Sequence, residues 1–481
     1  MSDSTTIMWF RQDLRLRDNP ALREACRGSN VIAVYIYDDI NPGSHEMGAA
    51  SKWWLHHSLA SLNSSLDNKL HILKGDPAVI IDQLIKKFDA NEVVWNRCYE
   101  PWQVKRDKQI KSLLKNNDIA VQSFNGSLLW EPWEIMNKAG SPYKVFTPYY
   151  RKGCLQAHEP RAVVDAPRHY SYLYDADCDS GLNSLALLPD IKWYSQFSNR
   201  WQPGEEGAAK NLSHFLSEPI QSYKEARDVP DKKGTSFLSP HLHFGEISAH
   251  QVWYATLNKF NGSIDNPDVD SYLSELGWRE FSHYLLYHFP SLPEKNFNSK
   301  FNQFHWRNKS QDLTDWQNGM TGVPMVDAGM RELWQTGYMH NRVRMIVGSY
   351  LVKNLMTHWH QGEAWFWDCL LDADLAANSA SWQWVAGSGA DASPFFRIFN
   401  PVTQGEKFDP KGAYVREYCP ELKDLPDKYI HKPWEAPEHI LRDAGITLGK
   451  DYPHPLVDLK ESRQAALDAY SAAKDAHQES E

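Results

Sequence analysis

Between Asp372 and Asp409 the chain reads DADLAANSASWQWVAGSGADASPFFRIFNPVTQGEKFD. Two carboxylates (Asp372, Asp374), a side-chain amide (Asn378) and two indoles (Trp382, Trp384) are crowded together, and a Gly/Pro-punctuated aromatic loop follows. Flat π-faces beside polar handles suit a grip on a planar ligand. The two acids read either as a general acid–base pair or as partners for an arginine and for ligand hydroxyls. Three further segments carry candidate chemistry. In GTSFLSP (Gly234–Pro240) Ser239 is expected to cap a helix with Pro240 in its first turn. Such an N-terminus attracts phosphate, although a plain capped loop has the same signature. Glu275 and Arg279 stand i,i+4 on an amphipathic stretch, either as an ion pair or facing a ligand, with Trp278 offering a flat face beside the carboxylate. Asn341, Arg344 and Met345 occupy neighbouring positions on another helical segment, combining an amide, a cation and a soft apolar group. His241/His243 and His358/His360 are spaced i,i+2, which fits neither one helix face nor a zinc pattern, so no metal is expected.

The elements that must position these residues change character along the chain. Apolar, β-branched runs at Thr6–Phe10, Val31–Tyr37, Leu70–Leu73, Val93–Asn96 and Ile119–Phe124 alternate with helical patterns at Ser51–Leu66, Ala78–Phe88 and Trp102–Asn116. Asp18 and Asn19 before Pro20 mark the first helix start. This alternation predicts a parallel five-stranded, Rossmann-like α/β domain over residues 1–130. No GxGxxG follows the first strand, so the standard dinucleotide fingerprint is missing. Residues 131–203, rich in proline and without a sustained period, read as a connector. Residues 204–481 read as an all-α domain, with helices expected at Ala208–Leu216, Ile247–Asn258, Val269–His288, Asp327–Thr336, Asn341–Leu355, Ala364–Leu371 and from Glu461 to the end.

Composition narrows the class. A chain of 481 residues, 42% apolar and 23% charged, has the balance of a globular protein of two or three domains. It holds no apolar run of roughly 18 residues and no secretory leader, so a cytoplasmic location without a membrane partner is expected. Six scattered cysteines without a CxxC pair fit reduced thiols. A net charge of −10 excludes a globally basic nucleic-acid binder but leaves room for a local basic face. Twenty tryptophans are far above ordinary usage; most are expected in the core, those beside polar site residues less so. Two classes survive: a glycoside-processing enzyme with paired carboxylates, and a protein that holds a large planar cofactor. The switch from α/β to all-α favours the second.

Five motifs in one order then identify a resemblance. WFRQDLR (Trp9–Arg15) with DNP (Asp18–Pro20), GTSFLSPHLHFGEIS (Gly234–Ser248), ELGWREF (Glu275–Phe281), MHNRVRM (Met339–Met345) and DADLAANSASWQW (Asp372–Trp384) resemble the signatures of the photolyase/cryptochrome family across nearly the whole chain. The resemblance is closest to bacterial cyclobutane pyrimidine dimer photolyases. It implies an N-terminal antenna domain, a connector and a C-terminal domain holding FAD, active as FADH⁻. The implied reaction is light-driven electron transfer to a flipped pyrimidine dimer, which splits and returns the electron. Tyr223, Thr235, Ser236, Phe237, Leu238 and Ser239 would hold the FAD phosphates. Arg344 would pair with Asp372 beside the flavin, Asp374 would meet the ribose or the ring, Asn378 would face flavin N5, and Arg279 and Asn341 would also line the cofactor. Glu275, Trp278, Asn341, Met345 and Trp384 would receive the lesion, with Arg227, Arg342 and Arg397 on its phosphates. Trp382, Trp359 and Trp306 fall where the family keeps its photoreduction chain.

The same resemblance bears on subtype. Asn341 and Met345 stand where 6-4 photolyases carry histidines, and Asn378 stands where plant-type cryptochromes carry Asp and animal-type ones typically Cys. These choices favour repair, with a cryptochrome-like blue-light photoreceptor as the alternative. Tyr338 and Tyr272 replace tryptophans found in some relatives. The loop Asn96–Gln103 occupies a folate-binding position but lacks the expected Asn-Glu pair, so methenyltetrahydrofolate is the first expectation for the antenna, with deazaflavin, FMN or none as alternatives. The implied partner is UV-damaged DNA, double- or single-stranded, bound by a monomer.

Overall fold

The computed structural model describes residues 4–28, 30–168, 171–392 and 396–480. The N-terminal runs form the expected strands: β1 (Thr5–Phe10), β2 (Asn30–Tyr37), β3 (His71–Lys74), β4 (Glu92–Asn96) and β5 (Ala120–Phe124). They lie in the order β3-β2-β1-β4-β5, all parallel. Helices α1 (Pro20–Ala25), α2 (Ala49–Ser65), α3 (Pro77–Phe88) and α4 (Pro101–Asn116) connect them in turn. Crossover helices cover both faces of such a sheet, which is why β1 is buried at every residue and reads as a continuous apolar run. The starts of α1 and α3 are fixed by Asn19 and Asp76, whose side chains accept from Leu22 N and Ala78 N, with proline in the first turn of each.

A sixth strand, β6 (Ser171–Tyr172), comes from the connector, which the sequence reads as irregular. It pairs in parallel with Asn30 and Val31, at the start of β2, whereas β3 reaches only Val34–Tyr37. β2 is longer than its neighbour, and the connector covers the edge left open. Two residues are too few to leave a periodic signal.

The C-terminal half is helical. At its centre the helix Leu375–Ala386 packs against Pro267–His288, Asn341–Ser349 and Trp359–Cys369. Periodicity does not mark this central helix, because its buried face carries the polar Asn378, Ser379 and Gln383 while the apolar Ala377, Ala380, Trp384 and Val385 lie off that face. The helix expected over Asn341–Leu355 instead stops at Ser349 and continues as a wide π-type turn, Tyr350–Asn354. That turn lets the buried Lys353 Nζ donate to the Ala386 carbonyl at 2.8 Å, satisfying the end of the central helix. The helix expected from Ala364 begins earlier, at Trp359, where His358 caps it by accepting from His360 N at 3.2 Å. The last helix, Leu459–Ser480, closes over Phe301, Phe304 and Phe396 through Tyr470. Among the described residues no helix is long and apolar enough to cross a membrane.

The two halves share a buried seam. Arg15 donates to the carbonyls of Gly245, at 2.8 Å, and Gly126, at 2.6 Å. Trp54 Nε1, on α2, donates to Glu246 at 3.0 Å, and Glu246 is also bound by His241. His241 is therefore a structural residue of the seam.

Candidate functional site

Five segments from the helical half converge on a half-enclosed cavity of about 590 Å³. Tyr223 and Arg227 come from a short helix and the turn after it, and Thr235–Ser239 from the next loop. Glu275, Trp278 and Arg279 come from Pro267–His288, and Asn341, Arg342, Arg344 and Met345 from the first turns of Asn341–Ser349. Asp372, Asp374, Asn378, Trp382 and Trp384 complete the wall. Of the residues expected at the site, Trp306, Trp359 and Arg397 are not part of this lining, and Arg397 is exposed. Of the aromatic loop after the central helix, residues 393–395 lie outside the described residues.

The polar groups settle several open readings. Arg344 Nη2 spans both oxygens of Asp372, at 3.1 and 2.9 Å, and its Nε donates to the Met339 carbonyl at 2.7 Å. Ser239 Oγ donates to the same Asp372 at 2.6 Å. Ser239 is thus committed to a carboxylate and is not the helix cap expected of it; Leu238 holds that position, and the helix Ser239–His243 is only five residues long. The Glu275–Arg279 pair does not form. Glu275 accepts from Arg227 instead, while Arg279 reaches Ser127 and Glu280. Burial raises the Glu275 carboxyl above its usual range, outweighing the Arg227 guanidinium beside it.

Asp374 works differently from Asp372. One oxygen accepts from Ala377 N at 2.8 Å and caps the central helix. The other faces His243 Nδ1 at 3.5 Å and His283 Nε2 at 3.4 Å. His283 Nδ1 lies 3.0 Å from the Arg279 carbonyl, so both ring nitrogens meet groups that only accept, and the imidazolium satisfies both. Burial pushes the His283 imidazole down but Asp374 pulls it up further, for a net rise. Burial likewise opposes ionisation of Asp374, but His283 and His243 hold it well below the usual carboxylate range. An anion kept charged at every working pH does not shuttle protons, so Asp374 does not act as one half of an acid–base pair.

Asn378 Nδ2 donates to the Glu363 carbonyl at 3.0 Å, so one amide proton is committed and the amide oxygen remains available as an acceptor. Next to it, Ser379 Oγ donates to Glu363 Oε1 at 2.5 Å. Burial lifts the Glu363 carboxyl to about 7. One face of Trp278 is already covered: Phe146 of the connector stacks on it at 3.8 Å and 11°. Phe146, Asp228, His283 and Glu363 also border this site but carry no local signal in the sequence, and His243 reads there only as a non-metal histidine.

The three tryptophans expected as a chain share one core cluster, in which Trp359 and Trp382 are buried and Trp306 is packed on the outside. His358, expected only as a non-metal histidine, sits between two of them, with ring centroids 4.9 Å from Trp306 and 5.6 Å from Trp359.

A large planar cofactor with a phosphate bridge fits this wall. The cavity has the volume of a cofactor site and mixes apolar surface from Leu238 and Phe366 with hydroxyls from Ser236 and Ser239. Thr235 and Tyr338, whose side chains approach each other, stand in the same lining and add hydroxyls to it.

Comparison with known proteins agrees with this geometry. Residues 6–167 match the family model described as DNA photolyase, and residues 272–472 match the FAD binding domain of DNA photolyase. The chain is 48% identical over 479 residues to the deoxyribodipyrimidine photo-lyase of Agrobacterium fabrum, covering 98% of this chain and 99% of that one. It is 37% identical to Cryptochrome-1 of Arabidopsis thaliana, over 98% of this chain and 70% of that protein. The crystal structure of a bacterial class III photolyase from Agrobacterium tumefaciens superposes with a TM-score of 0.94, covering 99% of this chain and 98% of that one at 48% identity.

Proposed function

The chain belongs to the DNA photolyase/cryptochrome family, and from that premise we propose that it is a deoxyribodipyrimidine photo-lyase, repairing cyclobutane pyrimidine dimers in UV-damaged DNA with blue light. The observation that carries this reading is one wall. Glu275, Trp278, Asn341, Met345 and Trp384 line the same cavity as the Arg344–Asp372 pair and Asn378, so lesion and cofactor residues face a common space.

FAD, when bound there, supplies the light-driven electron chemistry. The chain's residues bind, orient and exclude water. Thr235, Ser236 and Ser239, with Tyr223, Phe237 and Leu238 around them, are assigned to the phosphate side. Arg344 and Asp372 form a neutral pair at the cofactor, with Arg279 and Asn341 beside it. Asp374, charged and braced by two histidines, offers a fixed acceptor for a hydroxyl or ring N–H. Asn378 offers its amide oxygen as a second acceptor. Glu275 is assigned to hydrogen-bond the lesion bases, and Trp278 and Trp384 to stack on them, with Asn341 and Met345 filling the pocket. A dimer is cheaper to flip into such a pocket than an intact pair, because it is already poorly stacked. Arg227, Arg342 and the exposed Arg397 are assigned to its phosphates. Trp382, Trp359 and Trp306 are assigned to carry reducing electrons inward from the surface.

An oligonucleotide carrying one dimer, mixed with reduced protein and illuminated with blue light, tests the proposal. Loss of the dimer is expected. A persistent dimer with intact flavin would overturn the repair reading and leave the blue-light photoreceptor, the alternative that the cryptochrome relatives represent. For the second chromophore we propose a reduced folate near the loop Asn96–Gln103. There Trp133, 43% exposed, offers an aromatic face beside Tyr99. A released chromophore with a deazaflavin or FMN spectrum, or none at all, would reject it. A monomer is proposed, to be checked by sedimentation.

A further inference from the structure

The cavity mouth is charged. Arg227 and Arg342, the two arginines that line it and are assigned to phosphates, are each already paired, Arg227 with Glu275 and Arg342 with Asp228. Arg342 Nη2 donates to Asp228 Oδ1 at 2.7 Å and its Nε approaches the same oxygen at 3.3 Å. The guanidinium lies over the Phe408 ring at 4.5 Å, and its Nη1 is 3.8 Å from the sulfur of Met345 on the cavity wall. The pair is partly withdrawn from water, with Arg342 19% and Asp228 32% exposed, so its attraction is less screened than that of a surface pair. Each of these two cations is thus matched by an anion, where a binder of undamaged duplex would present them unpaired.

Resting on the proposed lesion-binding role, we infer that Asp228 is a specificity-determining residue that occupies Arg342 until a DNA phosphate displaces it. A phosphate reaching a paired arginine gains little, because the freed carboxylate must recruit its own counterion. Undamaged duplex, which touches only the rim, therefore draws almost nothing from Arg342. A flipped lesion also makes the contacts of the cavity wall, and these offset the cost of the exchange.

Binding of undamaged and dimer-containing duplexes to the flavin-loaded protein, followed by fluorescence anisotropy across a salt series, tests this. Asp228→Asn is expected to tighten undamaged duplex roughly fivefold near 0.1 M salt and to steepen its log–log salt slope by about 0.9, the value of one phosphate contact. Preference for the dimer should fall accordingly. Asp228→Glu should restore the original preference, and Asp228→Asn should have no effect on undamaged duplex when Arg342→Gln is also present. Unchanged affinity and slope in Asp228→Asn would overturn the inference while leaving the photolyase reading intact. If Asp228→Asn does not fold, Arg342→Gln alone decides: a larger loss on dimer than on undamaged duplex supports the exchange, and equal losses overturn it. A wild-type protein that does not prefer dimer DNA would overturn both readings.

Discussion

Two carboxyls near the cavity are held in opposite states by their surroundings. Asp374 stays ionised because two histidines face it, whereas Glu363 has a neutral partner for its carboxyl, Ser379, and is lifted by burial to about 7. A carboxyl raised in this way is protonated in the fold but ionised in the unfolded chain between about pH 4.5 and 7, so its contribution to stability falls as pH rises through that window. Glu363→Gln keeps the acceptor for Ser379 and removes the ionisation. It is therefore expected to stabilise the protein above pH 7 by up to about 3 kcal/mol and to change nothing at or below pH 4.5, as thermal melts at pH 4.5 and 8 would show. Glu275 lines the cavity itself. Glu275→Ala should weaken dimer binding about tenfold and lower repair yield while FAD content stays near wild type, since its loss removes a charged hydrogen-bonding group. Most wall residues of this kind were legible in the sequence because they sit in contiguous motifs. Asp228, His283 and Glu363 were not, because their roles depend on partners far away in the chain.

At the scale of elements, the central helix Leu375–Ala386 and the helix Trp359–Cys369 meet through one small residue. A Cβ on Gly362 would overlap the ring of Trp382, so only glycine lets that indole lie against the neighbouring helix. Gly362→Ala is expected to cost about 1–3 kcal/mol and to displace Trp382 from the cavity wall, read as lower thermal stability together with poorer FAD retention. The same pair of helices carries two of the proposed electron carriers. Trp306→Phe should slow photoreduction of the oxidised cofactor but leave repair by pre-reduced protein almost unchanged. Equal loss in both assays would reject its assignment. Helix starts were readable to within a few residues where Asn, Asp or Pro marked them. The central helix was not, since Asn378, Ser379 and Gln383 on its buried face and Trp384 and Val385 off it blur the apolar stripe that periodicity detects.

At the scale of the whole molecule, the α/β and helical halves are locked by groups that bridge them. Arg15 is 1% exposed and donates to carbonyls of Asp18, Gly126 and Gly245, which lie far apart in the chain. A lysine has the charge but not the planar fork needed to serve three carbonyls. Arg15→Lys is expected to destabilise the protein by roughly 2–3 kcal/mol and to split a single denaturation transition into two, followed by far-UV circular dichroism and flavin fluorescence. The connector takes part in this assembly: it adds β6 to the sheet and places Phe146 against Trp278, so it couples the sheet edge to the cavity wall. Its irregular sequence shows none of this, because each contact uses one or two residues.

The sequence by itself determined the succession of the five N-terminal strands and their helices, the change from α/β to all-α and the identity of most groups around the cavity. These depend on local pattern and on contiguous motifs, which a linear chain displays directly. The tertiary structure alone decided how the charges pair. It set Glu275 on Arg227 rather than Arg279, Asp374 between two histidines and Arg342 on Asp228. Those choices depend on distances between side chains from different segments and on how deeply each is buried, and both quantities exist only once the chain has folded.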